Sequence, residues 1–198
     1  MSSSSRKPPS LLPPTISAFQ KAHDCLLPMG ITSKNIAHRY GVTRQEQDQT
    51  AVSSSLSINC NSSQVSDGAG AVLLMKRSVA LKKGLPILGV FRSFAAVGVD
   101  PADMGVGPAV AIPAAVKFAG LEIGDIDLFE LNEPFASQFV YCCNKLGLDR
   151  SKVNVNGGAI ALGHPLDATG ARCMATLLNE MKRQGIDCRF GVVTMCID

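Results

Sequence analysis

From residue 71 onward the sequence switches between short runs rich in β-branched and aromatic residues and longer amphipathic ones. This alternation constrains the fold more than any other feature. Strands are expected at 71–75, 87–97, 126–131, 153–155 and 191–196. Helices are expected at 78–83, 108–120, 135–146 and 168–183, the last strongly amphipathic. Strands alternating with helices at these lengths build layered α/β domains, because apolar strands must be covered by helices. No internal repeat is visible. The 198 residues suffice for one full domain or two small ones. With 46% hydrophobic and 18% charged residues, the chain can fill a core and is too apolar for disorder.

The texture upstream is different. Residues 1–24 are Ser/Pro-rich, lack the roughly 7–15 consecutive apolar residues of a secretory signal, and are expected to form a poorly packed leader. Residues 25–60 read as a helical segment and a junction. A helix over 33–40 has Ser33 as its N-cap, Ile36 and Tyr40 on one face, and Gly41 as its stop. A second helix opens on the capping-box pattern Thr43 to Glu46. Then comes AVSSSLSINCNSSQVSDG, polar and aperiodic, either a long loop or the place where something longer has been shortened. Residues 61–198 form the α/β domain. The last residues, Met195 to Asp198, are not a peroxisomal S-K-L address.

Composition excludes several partners. Nineteen basic against 16 acidic residues leave a net charge of +3, too weak a field to favour nucleic acid or an anionic membrane. The most apolar uncharged run, residues 104–116, contains two prolines and is shorter than the ~20 residues of a membrane span. Seven cysteines, an odd number with no C-x-x-C pair, point to free thiols in a reducing compartment.

Most candidate motifs have a plain structural reading. Residues 36–44 look like a helix-turn-helix, but Gln45 to Gln49 offer no apolar residue for packing, and Glu46 and Asp48 would face phosphates. Gly68-Ala69-Gly70 and Gly105-Val106-Gly107 lack the third glycine of a dinucleotide fingerprint. Gly158 and Gly163 have P-loop spacing, but His164-Pro165 follows instead of lysine. His23, His38 and His164 are scattered, and no metal-ligand spacing appears. His23-Asp24-Cys25 are immediate neighbours and cannot align as a triad. Glu130 and Glu133 read as a solvated or helix-terminal pair. Lys82-Lys83 and Lys182-Arg183 sit near helix ends, where they complement the macrodipole. His164 stands apart. It lies in a glycine-rich loop between a short strand and a long helix, with Pro165 fixing the backbone beside it, well placed for proton transfer or oxyanion stabilisation.

Three segments together resemble the thiolases, and among them the plant peroxisomal 3-ketoacyl-CoA thiolases. They are Asn132-Glu133-Pro134-Phe135-Ala136, the Gly157 to Leu166 loop, and Met195-Cys196-Ile197. Residues 25–32, 61–68 and 129–131 support them, and the resemblance covers the C-terminal part of the family. It implies a thiolase-like C-terminal α/β domain with a mixed sheet packed against helices, its layers incomplete. It also implies acyl-CoA C-acyltransfer through an acyl-enzyme on a nucleophilic cysteine. By this resemblance His164 activates the nucleophile and donates to a thioester oxygen. Cys196 is the acid/base at the substrate α-carbon, and Asn132 holds an oxyanion-hole water. Ser63 and Phe135 lie near the pantetheine arm of CoA. The resemblance implies that the fold brings His164 and Cys196 together. CoA and acyl-CoA are substrates; no cofactor or metal is implied. A homodimer or a heterodimer with a full-length thiolase is expected, in the peroxisome, with the cytosol as alternative.

The departures from the family are as informative. The nucleophilic cysteine of thiolases lies in their N-terminal half, and none of Cys25, Cys60, Cys142, Cys143, Cys173 and Cys188 matches its motif. The family's loop segment over CoA is nearly absent at the Ser-rich junction of residues 52–60. Pro134 stands where alanine is usual, removing an N–H beside Asn132. Asp167 stands where glycine is usual and is expected to cap the following helix. Asp198 replaces a glycine of the turn after Cys196, and its charges are expected to raise the Cys196 thiol pKa. The chain by itself is therefore expected to be inactive. The alternatives are a non-catalytic partner subunit or a truncated gene product.

Overall fold

The computed structural model describes residues 24–54 and 61–196. Helices α1 (Met29–Tyr40) and α2 (Arg44–Ser54) come first, followed by the short α3 (Arg77–Lys82). A 3-10 turn (Pro101–Val106) leads into α4 (Gly107–Phe118), then strand β1 (Leu128–Leu131) and α5 (Ala136–Leu146). The one-turn α6 (Ala159–Leu162), the long α7 (Thr169–Gln184) and strand β2 (Gly191–Thr194) complete the order. β1 and β2 pair in parallel, from Leu128 opposite Gly191 to Leu131 opposite Thr194. Parallel neighbours require a crossover, and α5 to α7 supply it.

All four residues of β1 are buried because both of its faces are covered. Phe129 and Leu131 join Ala109, Ile112 and Val116 of α4 and Phe139 and Cys142 of α5 in one apolar cluster. Side chains as fully buried as Ile112 and Leu131 contribute roughly 2–3 kcal/mol each. On the opposite face Glu130 meets Arg172 of α7. Further along α7, Leu177 lies over Gly191, where a Cβ would come 2.7 Å from Leu177 Cδ1. The strand pair is thus sandwiched between α4 and α5 on one side and α7 on the other.

Several sequence expectations hold with shifted ends, and others fail for identifiable reasons. α1 begins four residues earlier than expected, at Met29 with Pro28 in the N-cap position. Ser33 is therefore inside the helix, and its hydroxyl bonds Ser137 of α5 at 2.8 Å. Gly41 ends α1 in a left-handed conformation. The Thr43–Glu46 capping box forms reciprocally, with Thr43 N donating to Glu46 Oε2 at 2.8 Å and Glu46 N to Thr43 Oγ1 at 3.2 Å. α2 leaves its one large apolar residue, Val52, exposed and packs through Thr50 and Ala51. Ala51 forms a small cluster with Ala136 and Ile160.

The expected strands at 71–75 and 87–97 are not strands. Neither forms a ladder with any described residue, and Leu73, Leu74, Phe91 and Phe94 are exposed. The second run lies against helices instead: Gly89 faces Leu178 of α7, and Ser93 Oγ donates to Ala115 O of α4 at 2.7 Å. Where a mixed sheet was expected, the strands of the described residues form one two-stranded parallel sheet. The run 153–155 shrinks to a single parallel bridge between Val153 and Phe129. The cause is Asn154, whose φ of 49° turns the chain out of extended conformation. Its side chain completes the pairing, with Oδ1 accepting from Leu131 N at 2.9 Å and Nδ2 donating to Leu131 O at 2.8 Å. Residues 1–23 of the expected 1–24 leader and most of the Ser-rich junction lie outside the described residues. Among the described residues no helix is long and apolar enough to cross a membrane.

Candidate active site

The carboxyl ends of β1 and β2 converge on the amino end of α7. Asn132 follows β1 directly, and its N–H extends the ladder by donating to Thr194 O at 3.0 Å. Gln138 Nε2 donates to Asn132 O at 3.2 Å, pinning the residue from the other side. Its side-chain amide then faces His164, with Nδ2 and the ring Nε2 separated by 3.4 Å. Asn132 Oδ1 is buried and has no protein partner. A buried acceptor of this kind is costly unless a donor such as water occupies it.

His164 is presented by a loop whose every turn has a steric cause. α6 ends at Gly163, which has φ 93°. A Cβ there would also meet Ser66 Oγ at 2.6 Å, so glycine is required twice. Segment 64–66 runs beside the loop: His164 N donates to Gln64 O at 2.8 Å, and Ser66 N to His164 O at 3.4 Å. On its far side the imidazole Nδ1 lies 2.7 Å from the hydroxyl of Thr169, the first residue of α7. Burial, then the positive charge of Arg172, holds the imidazole pKa below its usual value. This favours the neutral ring, the form able to accept a proton.

Cys196 lies two residues past the end of β2. Its backbone packs against Gly107 at the start of α4, where a Cβ would come 3.3 Å from Cys196 O. Burial pushes the thiol up to about 11, so it is held protonated, as a proton donor must be. The upward direction matches the sequence expectation, but the cause is desolvation. Asp198, the charge invoked there, lies outside the described residues. Asp167 is not a cap. It sits exposed within a 3-10 turn (Leu166–Ala168), and Ala168 occupies the N-cap position of α7 without a side-chain bond.

Ser63 and Phe135 are also brought together. Ser63 N donates to Pro134 O at 2.8 Å, Ser62 bridges Phe135, and Ala136 N donates to Asn61 O at 2.9 Å. Both residues are half-buried; Phe135 stands three positions after Asn132 at the entry to α5, and Ser63 is held beside it by the Pro134 bond. The carbonyl of Pro134 is used in this pairing. The proline's missing N–H leaves the Asn132–Thr194 bond intact.

Sequence reasoning misplaced the two glutamates. Glu130 and Glu133 are not solvated; both are buried. Burial drives Glu130 up to about 7 despite Arg172, whose Nη1 donates to it at 3.2 Å. Burial likewise raises Glu133. Asn154 Nδ2 donates to Glu133 Oε1 at 2.5 Å. Gly158 lies directly over the Glu133 carboxyl, so closely that no Cβ fits. The Gly158–Gly163 spacing therefore accommodates the Glu133 carboxyl group. The Gly68 and Gly70 pair serves packing against Pro165 and Ala171. Among the described residues no three His, Cys, Asp or Glu side chains group as a metal site would. Thr169, Asn154 and Arg172 were not singled out from sequence. The one available signal was the placement of Thr169 at the helix start five residues after His164.

The family described as thiolase, C-terminal domain, matches residues 85–198. Peroxisomal 3-ketoacyl-CoA thiolase 1 of Arabidopsis thaliana is 56% identical over 93% of this chain and 56% of its own length. That alignment runs to 246 positions, more than the 198 residues of the chain. The relative thus carries residues within the matched span that this chain lacks. The dimeric peroxisomal thiolase of Saccharomyces cerevisiae superposes with a TM-score of 0.84 at 39% identity, covering 93% of this chain and 60% of that one. Human mitochondrial 3-ketoacyl-CoA thiolase in complex with CoA superposes at 0.70 with 30% identity, over 80% and 53%. The chain spans a little over half the length of the curated relatives it matches.

Proposed function

The chain belongs to the thiolase family, and on that premise we propose that it supplies the proton-transfer and oxyanion half of a thiolase-type acyl-CoA C-acyltransfer. The reaction is thiolysis of a 3-ketoacyl-CoA in fatty-acid β-oxidation. The observation that carries the reading is the Asn132–His164 contact where β1 and β2 end. Breaking a carbon–carbon bond next to a thioester leaves an enolate, which must be stabilised and then protonated. His164, neutral and facing Asn132, is the base that draws a proton from an attacking thiol. Asn132 offers an amide donor and a vacant acceptor, the pair that orders a water against a developing oxyanion. Cys196, kept protonated by burial, delivers the proton to the α-carbon. Ser63 and Phe135 flank the path of the pantetheine arm.

Thiolases carry the attacking cysteine in their N-terminal half, and no cysteine here stands in a matching motif. The nucleophile is thus supplied by polypeptide other than these 198 residues. Association into a homodimer belongs to the same proposal and is supported by the dimeric yeast relative; association with a full-length thiolase is its alternative. Residence in the peroxisome, the compartment in the names of the Arabidopsis and yeast relatives, belongs to the proposal as well. The test is complementation. The chain is mixed with the nucleophile-bearing half of a plant thiolase and assayed for loss of acetoacetyl-CoA in the presence of CoA. The chain alone is expected to give no turnover, and the mixture to give turnover that His164→Ala abolishes. Turnover indifferent to His164→Ala, or a mixture that binds but stays inert, would refute the assignment.

A further inference from the structure

We infer that Thr169 is a positioning residue, whose buried hydroxyl accepts the Nδ1 proton of His164 and so leaves Nε2 bare toward Asn132. The inference rests on the reading of His164 as a base and adds how that base is prepared. A neutral imidazole carries one proton on either of two nitrogens, and only the bare nitrogen can accept another. In water histidine prefers the proton on Nε2, which would block the nitrogen that faces the reaction. The surroundings must therefore impose the other tautomer.

Two contacts do so. The nitrogen of the Asn132 side-chain amide lies 3.4 Å from Nε2. An amide nitrogen can only donate, so this contact is a hydrogen bond when Nε2 presents its lone pair. On the other side, Thr169 Oγ1 lies 2.7 Å from Nδ1, a short bond with a group able to accept. Thr169 has no exposed surface and begins α7, a sixteen-residue helix, so its hydroxyl is fixed by the packing of that helix. The same helix carries Arg172 three residues on, anchored by Glu130 of β1. One helix start thereby sets both the direction of the ring and its state of protonation. Hydrogen bonding of the second ring nitrogen is the general means by which proteins choose a histidine tautomer.

The test reads the tautomer directly and needs no turnover. The 198-residue chain is labelled with 15N-histidine, and long-range 1H–15N correlation spectra are recorded well above the titration of the ring. His164→Gln identifies the signal against those of His23 and His38. The wild-type chain is expected to show Nδ1 protonated and Nε2 bare. Thr169→Val keeps the shape of the side chain and removes the acceptor. It should shift the tautomer ratio toward Nε2–H by roughly two- to tenfold, the equilibrium equivalent of one net hydrogen bond. Thr169→Ser should restore the wild-type pattern. A wild-type spectrum with Nε2 protonated, or an unchanged ratio in Thr169→Val, overturns the inference. Should the valine variant lose its dispersed spectrum, the wild-type tautomer and the serine variant decide alone. The two readings fail separately. The expected tautomer with failed complementation would sink the function only; working complementation with Nε2–H would sink the positioning role only.

Discussion

Replacing Gly158 with alanine adds one methyl group at a place where the structure has no room for it. The backbone there, φ −105° and ψ −161°, is open to any residue, so no torsional penalty enters. The whole cost is steric. The new Cβ would lie 2.5 Å from Glu133 Cγ and closer still to the carboxyl group. Glu133 is 1% exposed and its Oε1 takes the bond from Asn154, so its side chain cannot retreat into solvent without breaking that bond. Forcing extra volume into a packed site costs about 1–3 kcal/mol. Loss of a buried hydrogen bond costs about 1–3 kcal/mol more. Together they predict destabilisation of about 3–4 kcal/mol, or a drop of about 2 M in urea midpoint at an m-value near 2 kcal/mol/M.

A double-mutant cycle tests the cause and not only the size. In a Glu133→Ala background the carboxyl is gone, and Asn154 Nδ2 still has Leu131 O as a partner. Gly158→Ala should then cost less than about 1 kcal/mol, giving a coupling of about 2–3 kcal/mol. Urea unfolding of the four chains, followed by far-ultraviolet circular dichroism, measures it. Additivity within about 0.5 kcal/mol would refute the reasoning.

Three further outcomes follow from particular groups. Glu130 binds its proton more tightly when folded than at its ordinary value of 4.5, so its contribution to stability is whole below that value and is lost as pH rises to about 7. Between pH 4.5 and 7.5 the wild-type chain should lose about 2 kcal/mol relative to Glu130→Gln, somewhat less than the full shift because Arg172 leaves the pair open to some solvent; a pH-independent difference sinks this. The Cys196 thiol, pushed up to about 11, should react with an aromatic disulfide at pH 8 about tenfold more slowly than an unperturbed thiol, its scarcity of thiolate being partly offset by greater nucleophilicity. Mass-spectrometric mapping that finds half-buried Cys196 labelled as fast as exposed Cys25 would contradict that rise. Thr43→Ala should lower stability by about 1 kcal/mol through loss of the α2 capping box, whereas Thr43→Ser should not.

Helices other than the one-turn α6 were legible in the sequence to within four residues, because their periodicity is local, although two expected caps, Ser33 and Asp167, did not form. α2 is the instructive case: its capping box is written in four consecutive residues and formed as read. Strands were legible only where the fold happened to pair them. Residues 71–75 and 87–97 have the composition of buried strands, yet a ladder needs a neighbour at the right distance, which composition cannot supply. The run at 153–155 failed differently. Its second residue, Asn154, takes a left-handed conformation that asparagine tolerates, and its amide then does for Leu131 what a third strand residue would have done.

The site divides along the same line. Asn132, His164 and Cys196 stand in contiguous motifs and could be named from sequence. The groups that hold them could not, because each acts across a gap in the chain. Asn154 lies 21 residues from Glu133, Arg172 lies 42 from Glu130, and Gly158 is recognisable as a requirement only once the Glu133 carboxyl is placed beneath it. These supports form one connected structure. Asn154 joins the edge of β1 to Glu133, Glu133 is packed under Gly158, and Gly158 opens the helix that ends at Gly163 and delivers His164. Asn132 sits between Leu131 and Glu133, so the same supports fix the amide that meets the imidazole. A disturbance at Gly158 should therefore reach both members of the Asn132–His164 contact, from opposite directions along the chain.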